Sequence, residues 1–196
     1  MAIGERYDTI RDAALTAIAR RGFHQASIRE IARAARLSLA GLYHYVGGKD
    51  ELLFLVVDDA LATLLELSET ALAAAATPEE RLRALIRTHL AFGFHHADRL
   101  RVVNRDWELV RGARRAEVVA RRKAYMGRWL SVLRALDPHG RTDRELFSAV
   151  NVLLGMLNGI AVPPFLRTAD DAAALAGQVA ALFLHGFLHL GGPHDG

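Results

Sequence analysis

Residues 27–46 of the chain, SIREIARAARLSLAGLYHYV, decide its fold. From Ile28 to Ala35 the apolar side chains recur with the i, i+3, i+4, i+7 spacing of a helix that buries one face. After a short turn, Ser38 can cap a second short helix, which Leu42 and Val46 would anchor to the core. Two short helices joined by a tight turn form a helix-turn-helix, a motif whose second helix can enter the major groove of DNA.

The arginines of this stretch fall between the apolar positions. Arg29, Arg33 and Arg36 are therefore predicted to point outward. Residues 1–50 carry eight Lys and Arg against five Asp and Glu, whereas residues 51–196 carry 17 of each, so the whole net charge of +3 lies in the first quarter. A basic module attached to a neutral body is typical of proteins that bind nucleic acid.

Helix start and stop signals recur along the rest of the chain, and no alternating pattern typical of β-strands occurs in it. Three predicted capping boxes, Ser27–Glu30, Thr77–Glu80 and Thr142–Glu145, mark helix starts, and Pro78 suits a first helical position. The predicted helices span about 5–20, 28–34, 39–45, 49–75, 78–95, 112–135, 143–161 and 169–190, with a shorter irregular stretch over 97–111. The sequence predicts an all-α fold of about nine helices.

Composition narrows the class of protein further. With 52% hydrophobic residues, the chain of 196 residues can bury a core, which excludes a disordered chain. It has no cysteine, which excludes a disulfide scaffold, a zinc site with Cys ligands and a thiol nucleophile. The N-terminal residues MAIGERYDTI lack an apolar run after a basic start, so we expect a cytoplasmic protein without a signal peptide.

Two charge-free segments, 146–166 and 172–194, are long enough to cross a membrane. The first contains Asn151 and Asn158, and the second contains Gln178 and three histidines, which are costly to insert without partners. We therefore expect two helices buried against the body and against a second subunit, and no membrane partner.

Four short motifs between residues 22 and 53 carry a resemblance to a known family. They are Gly-Phe from residue 22, Ser-x-Arg-x-Ile-Ala from residue 27, Leu-Tyr-x-Tyr from residue 42 and Lys-Asp-Glu-Leu-Leu from residue 49. This stretch resembles the N-terminal DNA-binding domain of the tetracycline-repressor (TetR/AcrR) family of bacterial transcription regulators. The resemblance implies a DNA-binding domain over 1–50, with the helix-turn-helix at about 27–46 and the next helix linking it to the body. It implies an effector-binding and dimerisation domain over 51–196.

The family's DNA contacts are transferred position by position. The resemblance implies that Arg29 reaches a guanine edge or a phosphate, and that Lys49 holds the DNA backbone. The hydroxyls of Ser27 and Ser38 would bind phosphates, and the aromatic cluster would contact phosphates, sugars and thymine methyls. The predicted DNA-binding residues are Ser27, Arg29, Ser38, Leu39, Ala40, Gly41, Tyr43, His44, Tyr45 and Lys49.

Three of these positions depart from the family's usual residues. Where the family commonly has a polar or basic residue, then Gly or Pro, then Thr, this chain has Leu39, Ala40 and Gly41. These residues can touch a thymine methyl but donate few hydrogen bonds, so base discrimination would rest on Arg29, the aromatic residues and DNA shape. Gly41 also lowers the propensity of its helix by about 1 kcal/mol relative to Ala.

In the family, the last two helices pair with those of a second copy. The resemblance therefore implies a homodimer through about 143–161 and 169–190. Such a dimer would present two recognition helices about 34–36 Å apart to a near-palindromic double-stranded operator. An effector bound between helices would change this spacing, so the resemblance implies a ligand-responsive repressor.

The effector-binding residues are predicted from helical spacing and side-chain type. Helix 78–95 places Leu82, Ile86 and His89 inward, and the arginine-rich helix 112–135 is similar to that of family members that sense acyl-CoA thioesters. A small apolar or acyl-CoA-like effector is therefore expected, and no cofactor. The predicted ligand-binding residues are Phe92, His96, Trp107, Arg122, Tyr125, Met126, Trp129, Asn151 and Asn158. The same aromatic residues are also compatible with a plain core, and the two amides with pairing across a dimer interface.

Two other functions remain open at this point. His95-His96-x-Asp98 and His185-x-x-x-His189 have metal-ligand spacing, but no Cys or Glu-x-x-His motif accompanies them, so neither an enzyme nor a metal site is expected. A helical adaptor that has lost operator binding is the other alternative, because Leu39, Ala40 and Gly41 depart from the family pattern.

Overall fold

The computed structural model describes residues 3–161 and 168–189, and these residues form helices without any strand. The predicted all-α fold is therefore confirmed. The described elements are α1 (Ile3–Arg21), α2 (Ile28–Ala34), α3 (Leu39–Tyr43), α4 (Lys49–Ala73), α5 (Pro78–His95), α6 (Ala97–Asp106), a 3₁₀ helix (Trp107–Leu109), α7 (Ala113–Leu136), α8 (Asp143–Ile160) and α9 (Ala169–His189).

Helix bounds lie within two residues of those predicted, but the segment after α5 differs. The stretch 97–111 was predicted to be irregular, whereas the structure forms α6 and a 3₁₀ turn there. Leu100 and Val103 are buried and three residues apart, and Asp98 bonds to Arg101 at 2.8 Å across one turn. The prediction was wrong because only a short apolar stripe, among many charged residues, marks this helix.

Two of the three predicted capping boxes form. The backbone N–H of Glu80 donates to the Thr77 hydroxyl at 3.2 Å, and Thr77 N–H donates back to the Glu80 carboxylate at 3.0 Å. Thr142 and Glu145 make the same reciprocal pair. The backbone N–H of Thr77 holds the pKa of Glu80 below its usual value.

The third predicted box, at Ser27, does not form. Ser27 lies at the N-cap of α2 in an extended conformation, but its side chain makes no capping hydrogen bond. Glu30 instead places its carboxylate 3.3 Å from the Arg21 guanidinium of α1. The start of α2 is therefore joined to α1 by an ion pair, and the Ser27 hydroxyl is left exposed.

The described residues fall into two compact units. Unit 1 comprises the described residues within 1–63 and 98–122, and unit 2 those within 64–97 and 123–196, so that α4 and α7 contribute to both. In unit 1, α2 packs against α1 and α3 around fully buried Ile31 and Leu42. Val46 is only 2% exposed, which confirms the predicted anchoring of the second short helix.

In unit 2, α5 packs mainly against α9 and also against α8. Trp129 and Phe92 are among its largest fully buried side chains. Within the described residues one helical segment, Asp170–Leu188, is long and apolar enough to cross a membrane, with a mean hydropathy of 1.4. A third of that segment is buried inside the protein, and core helices meet the same criteria, so the segment is weak evidence for a span.

Ion pairs on α4 connect three other helices of unit 1. Asp59 accepts from Arg11 of α1 at 2.8 Å and from Arg99 of α6 at 3.0 Å, and the neighbouring Asp58 binds Arg121 of α7. The side chains of Asp59, Arg11 and Arg99 are only 20–23% exposed. We call Asp58 and Asp59 the acidic hub.

A second contact fixes α6 to the end of α1. The Arg105 guanidinium donates to the backbone carbonyl of Ile18 at 2.7 Å, and Ile18 lies in the last turn of α1. The nearly buried Asp106 carboxylate holds the same guanidinium at 2.8 Å and raises the pKa of Arg105. Arg105 therefore caps α1 as a cation placed at its negative end.

The acidic hub leads to a stability prediction. Asp59→Asn removes the charge that faces two half-buried guanidiniums, so we expect the free energy of unfolding to fall by about 1–3 kcal/mol. Asp98→Asn is the matched control, because Asp98 and Arg101 are 50% and 43% exposed and such pairs contribute less than about 1 kcal/mol. Urea unfolding followed by circular dichroism at one protein concentration measures both. Equal losses in the two variants would contradict the hub's role.

Candidate DNA-binding surface and ligand sites

The turn between α2 and α3 is closed by a Schellman motif. Leu37 N–H donates to Ala32 C=O at 2.9 Å and Arg36 N–H donates to Arg33 C=O at 3.0 Å, which is the hydrogen-bond pair that defines the motif. Arg36 has φ 56° and so occupies the left-handed position that glycine usually takes. A left-handed backbone costs a residue with a Cβ about 1–2 kcal/mol.

The helix that would enter the major groove starts with a compact cap. The Ser38 hydroxyl accepts from the backbone N–H of Gly41 at 2.9 Å, which confirms the predicted N-cap. A Cβ on Gly41 would lie 3.1 Å from the Ser38 Oγ, closer than most side chains tolerate. Gly41 therefore lets this cap close tightly. Beside it, Leu39 is half-buried and Ala40 is exposed.

The three predicted aromatic DNA contacts differ in their surroundings. Tyr43 is 50% exposed and His44 is exposed at the end of α3. Tyr45 is half-buried, and its ring meets that of Tyr7 edge to face at 5.7 Å. The Tyr7 hydroxyl also donates to the Tyr45 carbonyl at 3.3 Å. Two rings are thus free to meet a ligand, while the third holds α1 against the end of the motif.

Lys49 has partners inside unit 1. Its Nζ donates to the backbone carbonyl of His24 at 2.9 Å and lies 4.7 Å from the centre of the Phe23 ring. These contacts tie the start of α4 to the loop that follows α1. The ammonium group keeps two further donors, so its position is fixed without using its full hydrogen-bonding capacity.

The arginines of the motif are exposed cations. Arg29, Arg33 and Arg36 all lie on the surface, and among the residues that the structure describes none of them has an ion-pair or hydrogen-bond partner for its side chain. Arg21 differs from them because it pairs with Glu30. The predicted outward orientation of the three arginines is confirmed.

The predicted ligand-binding residues do not form one cluster. Tyr125, Trp129 and Asn158 gather around His89 in the interior of unit 2. The His89 Nδ1 lies 2.8 Å from the Tyr125 hydroxyl, and Nε2 lies 3.0 Å from the Asn158 Oδ1. We call these four residues the polar cluster.

Burial determines the protonation state of the polar cluster. His89 is 2% exposed, and its desolvation lowers the pKa of the imidazole to about 4. The ring is therefore neutral at pH 7, donating from Nε2 to Asn158 and accepting at Nδ1 from the Tyr125 hydroxyl. Burial also raises the pKa of Tyr125, which keeps its proton on oxygen. Trp129 is fully buried, and its ring meets that of Tyr125 edge to face with the centroids 6.2 Å apart.

Phe92 and His96 belong to a different place in unit 2. They line an open, mainly apolar groove of about 420 Å³ between the last turns of α4 and α5. Leu67 and Ala71 form its α4 side, and the hydroxyls of Thr70 and Thr88 lie at it as well. Its volume is in the range of small-molecule sites.

Trp107 and Arg122 pair with each other in unit 1. The guanidinium carbon of Arg122 lies 4.0 Å from the centre of the indole ring, and that of Arg115 lies 5.8 Å from it. Arg115 donates to the backbone carbonyls of Glu108 and Val110. Arg122 is half-buried and forms no ion pair within the described ranges, and its desolvation lowers its pKa.

The remaining predicted ligand residues lie apart from these groups. Met126 is half-buried on α7. Asn151 is exposed on α8, and its amide donates to the Phe147 carbonyl at 2.8 Å. His89 was predicted to point inward but was not among the predicted ligand-binding residues. Its position as a lone histidine on the inward face of α5 is the feature of the sequence that could have indicated the polar cluster. In the described ranges no group of three or more His, Asp or Glu side chains is arranged to hold a metal.

Two family models match the chain. One, described as bacterial regulatory proteins of the tetR family, matches residues 10–56. The other, described as the tetracyclin repressor-like C-terminal domain, matches residues 75–162. The first match covers the helix-turn-helix and the second covers α5 to α8, together more than half of the chain.

Known relatives agree with the family models. The HTH-type transcriptional regulator BetI of Rhizobium meliloti (strain 1021) is 42% identical over 82 residues, which are 42% of this chain and 40% of BetI. The chain thus spans about two fifths of the length of the curated relatives that it matches. The names of these relatives are those of transcriptional regulators rather than of enzymes, and they do not favour the adaptor or metalloprotein alternatives.

Solved structures match over almost the whole chain. A TetR-family transcriptional regulator from Bordetella parapertussis 12822 has a TM-score of 0.82 at 25% identity, covering 94% of this chain and 95% of that one. AibR, crystallised with isovaleryl coenzyme A and operator DNA, has a TM-score of 0.78 at 27% identity, covering 91% and 98%. The helix-turn-helix geometry, the two family models and these structures lead to one conclusion: the chain belongs to the TetR family of bacterial regulatory proteins.

Proposed function

We propose that this protein is a ligand-responsive transcriptional repressor of the cytoplasm that binds a near-palindromic operator as a homodimer. The observation that carries the proposal is the exposed helix-turn-helix, whose three outward arginines have no acidic partner among the described residues while Tyr43 and His44 project from α3. Residues 1–50 would serve as the DNA-binding domain and residues 51–196 as the effector-binding and dimerisation domain.

Some of the proposed DNA contacts would recognise bases, and others would position the protein on the phosphate backbone. Arg29 would bind a guanine edge through its two parallel N–H groups, and Leu39 and Ala40 would touch thymine methyls. Ser27, Ser38 and Lys49 would bind phosphates, since the Ser27 hydroxyl is not used in a cap and Lys49 retains two donors. With few donors on α3, base recognition would depend strongly on DNA shape.

The proposed dimer uses α8 and α9. Among the described residues of unit 2, these helices present the most exposed large apolar side chains, with Val152 61% and Leu182 70% exposed. Gly155 and Gly159 on α8 have open space beside them, so the backbone of a second helix can approach closely. An apolar face of this kind is typical of an obligate interface, and a two-fold dimer would place two recognition helices about 34–36 Å apart.

The proposed effector is small and apolar or acyl-CoA-like. The groove beside Phe92 and His96 offers an apolar surface for a hydrocarbon chain. In unit 1, as a separate candidate place, the half-buried Arg122 guanidinium stacks on Trp107 and suits an anionic group such as a phosphate. AibR is similar to this chain and was crystallised with isovaleryl coenzyme A, which supports the same ligand class.

Footprinting on the intergenic DNA next to its own gene tests the proposed function. We expect protection of a near-palindrome, and a decrease of about 1–3 kcal/mol in binding free energy for Arg29→Ala, because a bidentate base contact disappears. Tyr43→Ala should also weaken binding. Arg83→Ala is the control, since Arg83 is an exposed arginine on α5. Protection that is absent even at low ionic strength would refute operator binding.

The dimer interface has its own test. Leu182→Glu places a charge on the proposed apolar face, so we expect a monomer in analytical ultracentrifugation and loss of operator binding, with an unchanged helical circular dichroism spectrum. Leu67→Glu is the matched control, because Leu67 is 40% exposed on α4 and should leave the dimer intact. A wild-type monomer, or a dimer that survives Leu182→Glu, would contradict the proposed interface.

The effector class can be tested by calorimetry and thermal shift. We expect isovaleryl or longer acyl-CoA thioesters to raise the melting temperature and to change operator affinity, since the ligand binds only folded protein. Arg122→Ala should weaken thioester binding by about tenfold, because a charge-assisted hydrogen bond disappears. Arg101→Ala, which removes an exposed ion-paired arginine, should not. If no thioester binds while the operator still does, the effector assignment is wrong and the regulator assignment stands.

A further inference from the structure

Three exposed arginines lie on α2 and on the turn that closes it. Arg29 and Arg33 are spaced i, i+4 and so share one side of the helix, and Arg36 follows in the left-handed position of the closing turn. Like charges at this spacing repel each other. Glu30, the acidic residue of α2, is turned away toward Arg21 and does not compensate them. We call these three residues the arginine stripe.

Four arginines on neighbouring helices of unit 1 are neutralised by carboxylates. Arg11 and Arg99 share Asp59, Arg121 binds Asp58, and Arg105 binds Asp106. The arginine stripe has no such partner among the residues that the structure describes. Its repulsion is therefore not relieved within the described chain.

Arg36 adds a backbone cost to this electrostatic one. It occupies the left-handed position of the Schellman motif, where glycine would relieve the strain while both closing hydrogen bonds remain. The Arg36 side chain makes no hydrogen bond or ion pair that offsets this cost within the described residues. Strain of this kind, held at an exposed charged residue, indicates a binding role.

We propose that Arg33 and Arg36 extend the DNA interface beyond Arg29 by binding phosphates of the duplex backbone. A duplex relieves the repulsion, because its phosphates are anions in a continuous row and each guanidinium can hold two phosphate oxygens. This inference rests on the proposed function, since it names additional contacts of the same DNA-binding surface. It assigns them no role in base recognition.

The closing experiment separates backbone strain from phosphate binding through Arg36→Gly. Glycine removes the side chain and fits the left-handed backbone, so this variant should melt at a temperature no lower than that of the wild type while binding operator DNA more weakly. We expect operator affinity to fall by about threefold to tenfold at about 100 mM salt. The plot of log affinity against log salt should become shallower by about 0.9 for each phosphate that the protein no longer neutralises, which is about 1.8 for a dimer.

Two further variants isolate the charge. Arg36→Lys keeps the charge and the strain and should bind within about twofold of the wild type, and Arg33→Ala should lower affinity and salt slope as Arg36→Gly does. The double variant Arg83→Ala and Arg87→Ala removes two exposed arginines with the same i, i+4 spacing on α5, and should leave the slope unchanged.

The outcomes distinguish this inference from the proposed function. If the wild type binds the operator and both Arg33→Ala and Arg36→Gly keep its salt slope, the proposed phosphate contacts of the arginine stripe are wrong. The proposed regulator function then still stands. An equal reduction of the slope in the α5 double variant also overturns the phosphate contacts, because the effect would then be one of overall charge. Wild type that binds no duplex overturns both.

Discussion

The acidic hub is the constraint on which unit 1 depends. Successive residues of a helix point about 100° apart, so two neighbouring carboxylates on α4 can reach helices on different sides. Asp59 uses this to hold α1 and α6, and Asp58 to hold α7. Since the pairs are half-buried, they are desolvated enough to be strong and are costly to leave unpaired. Thus α1, against which α2 of the helix-turn-helix packs, is held to α4 by charge.

Nearly all the positively charged residues of the chain are arginines, and the guanidinium group makes several different kinds of contact. At the acidic hub it joins helices, and at Ile18 it caps one. Over Trp107 it stacks on an indole, where a lysine would not make the planar contact. On α2 it stays exposed and unpaired within the described residues. The net charge of the first quarter therefore includes three arginines without a carboxylate partner among the described residues, whereas Arg11, Arg99, Arg105 and Arg121 are compensated.

Local patterns predicted the helices and their order, because periodic apolar residues and the caps at Thr77 and Thr142 act over a few residues. The local patterns gave a wrong prediction where a residue of another helix competed. Glu30 forms an ion pair with Arg21 of α1 instead of the predicted capping box with Ser27. The proposed DNA-binding surface was predicted from a motif in one continuous stretch, and it stays a prediction. The ligand residues could not be predicted in the same way, because spacing along α5, α7 and α8 gives the face of each helix but not which faces meet. His89, Tyr125 and Asn158 meet in the interior, whereas Asn151, on the same helix as Asn158, lies outside.

The placement of the two tryptophans has a practical consequence. Trp129 is fully buried in unit 2, beside the neutral imidazole of His89, while Trp107 is half-buried in unit 1 beneath a guanidinium. Since the chain has two tryptophans, each unit contains one native fluorophore, and the two differ in solvent contact. Intrinsic emission therefore resolves the two units without any label: quenching at the red edge reports on unit 1, and the blue edge reports on the interior of unit 2.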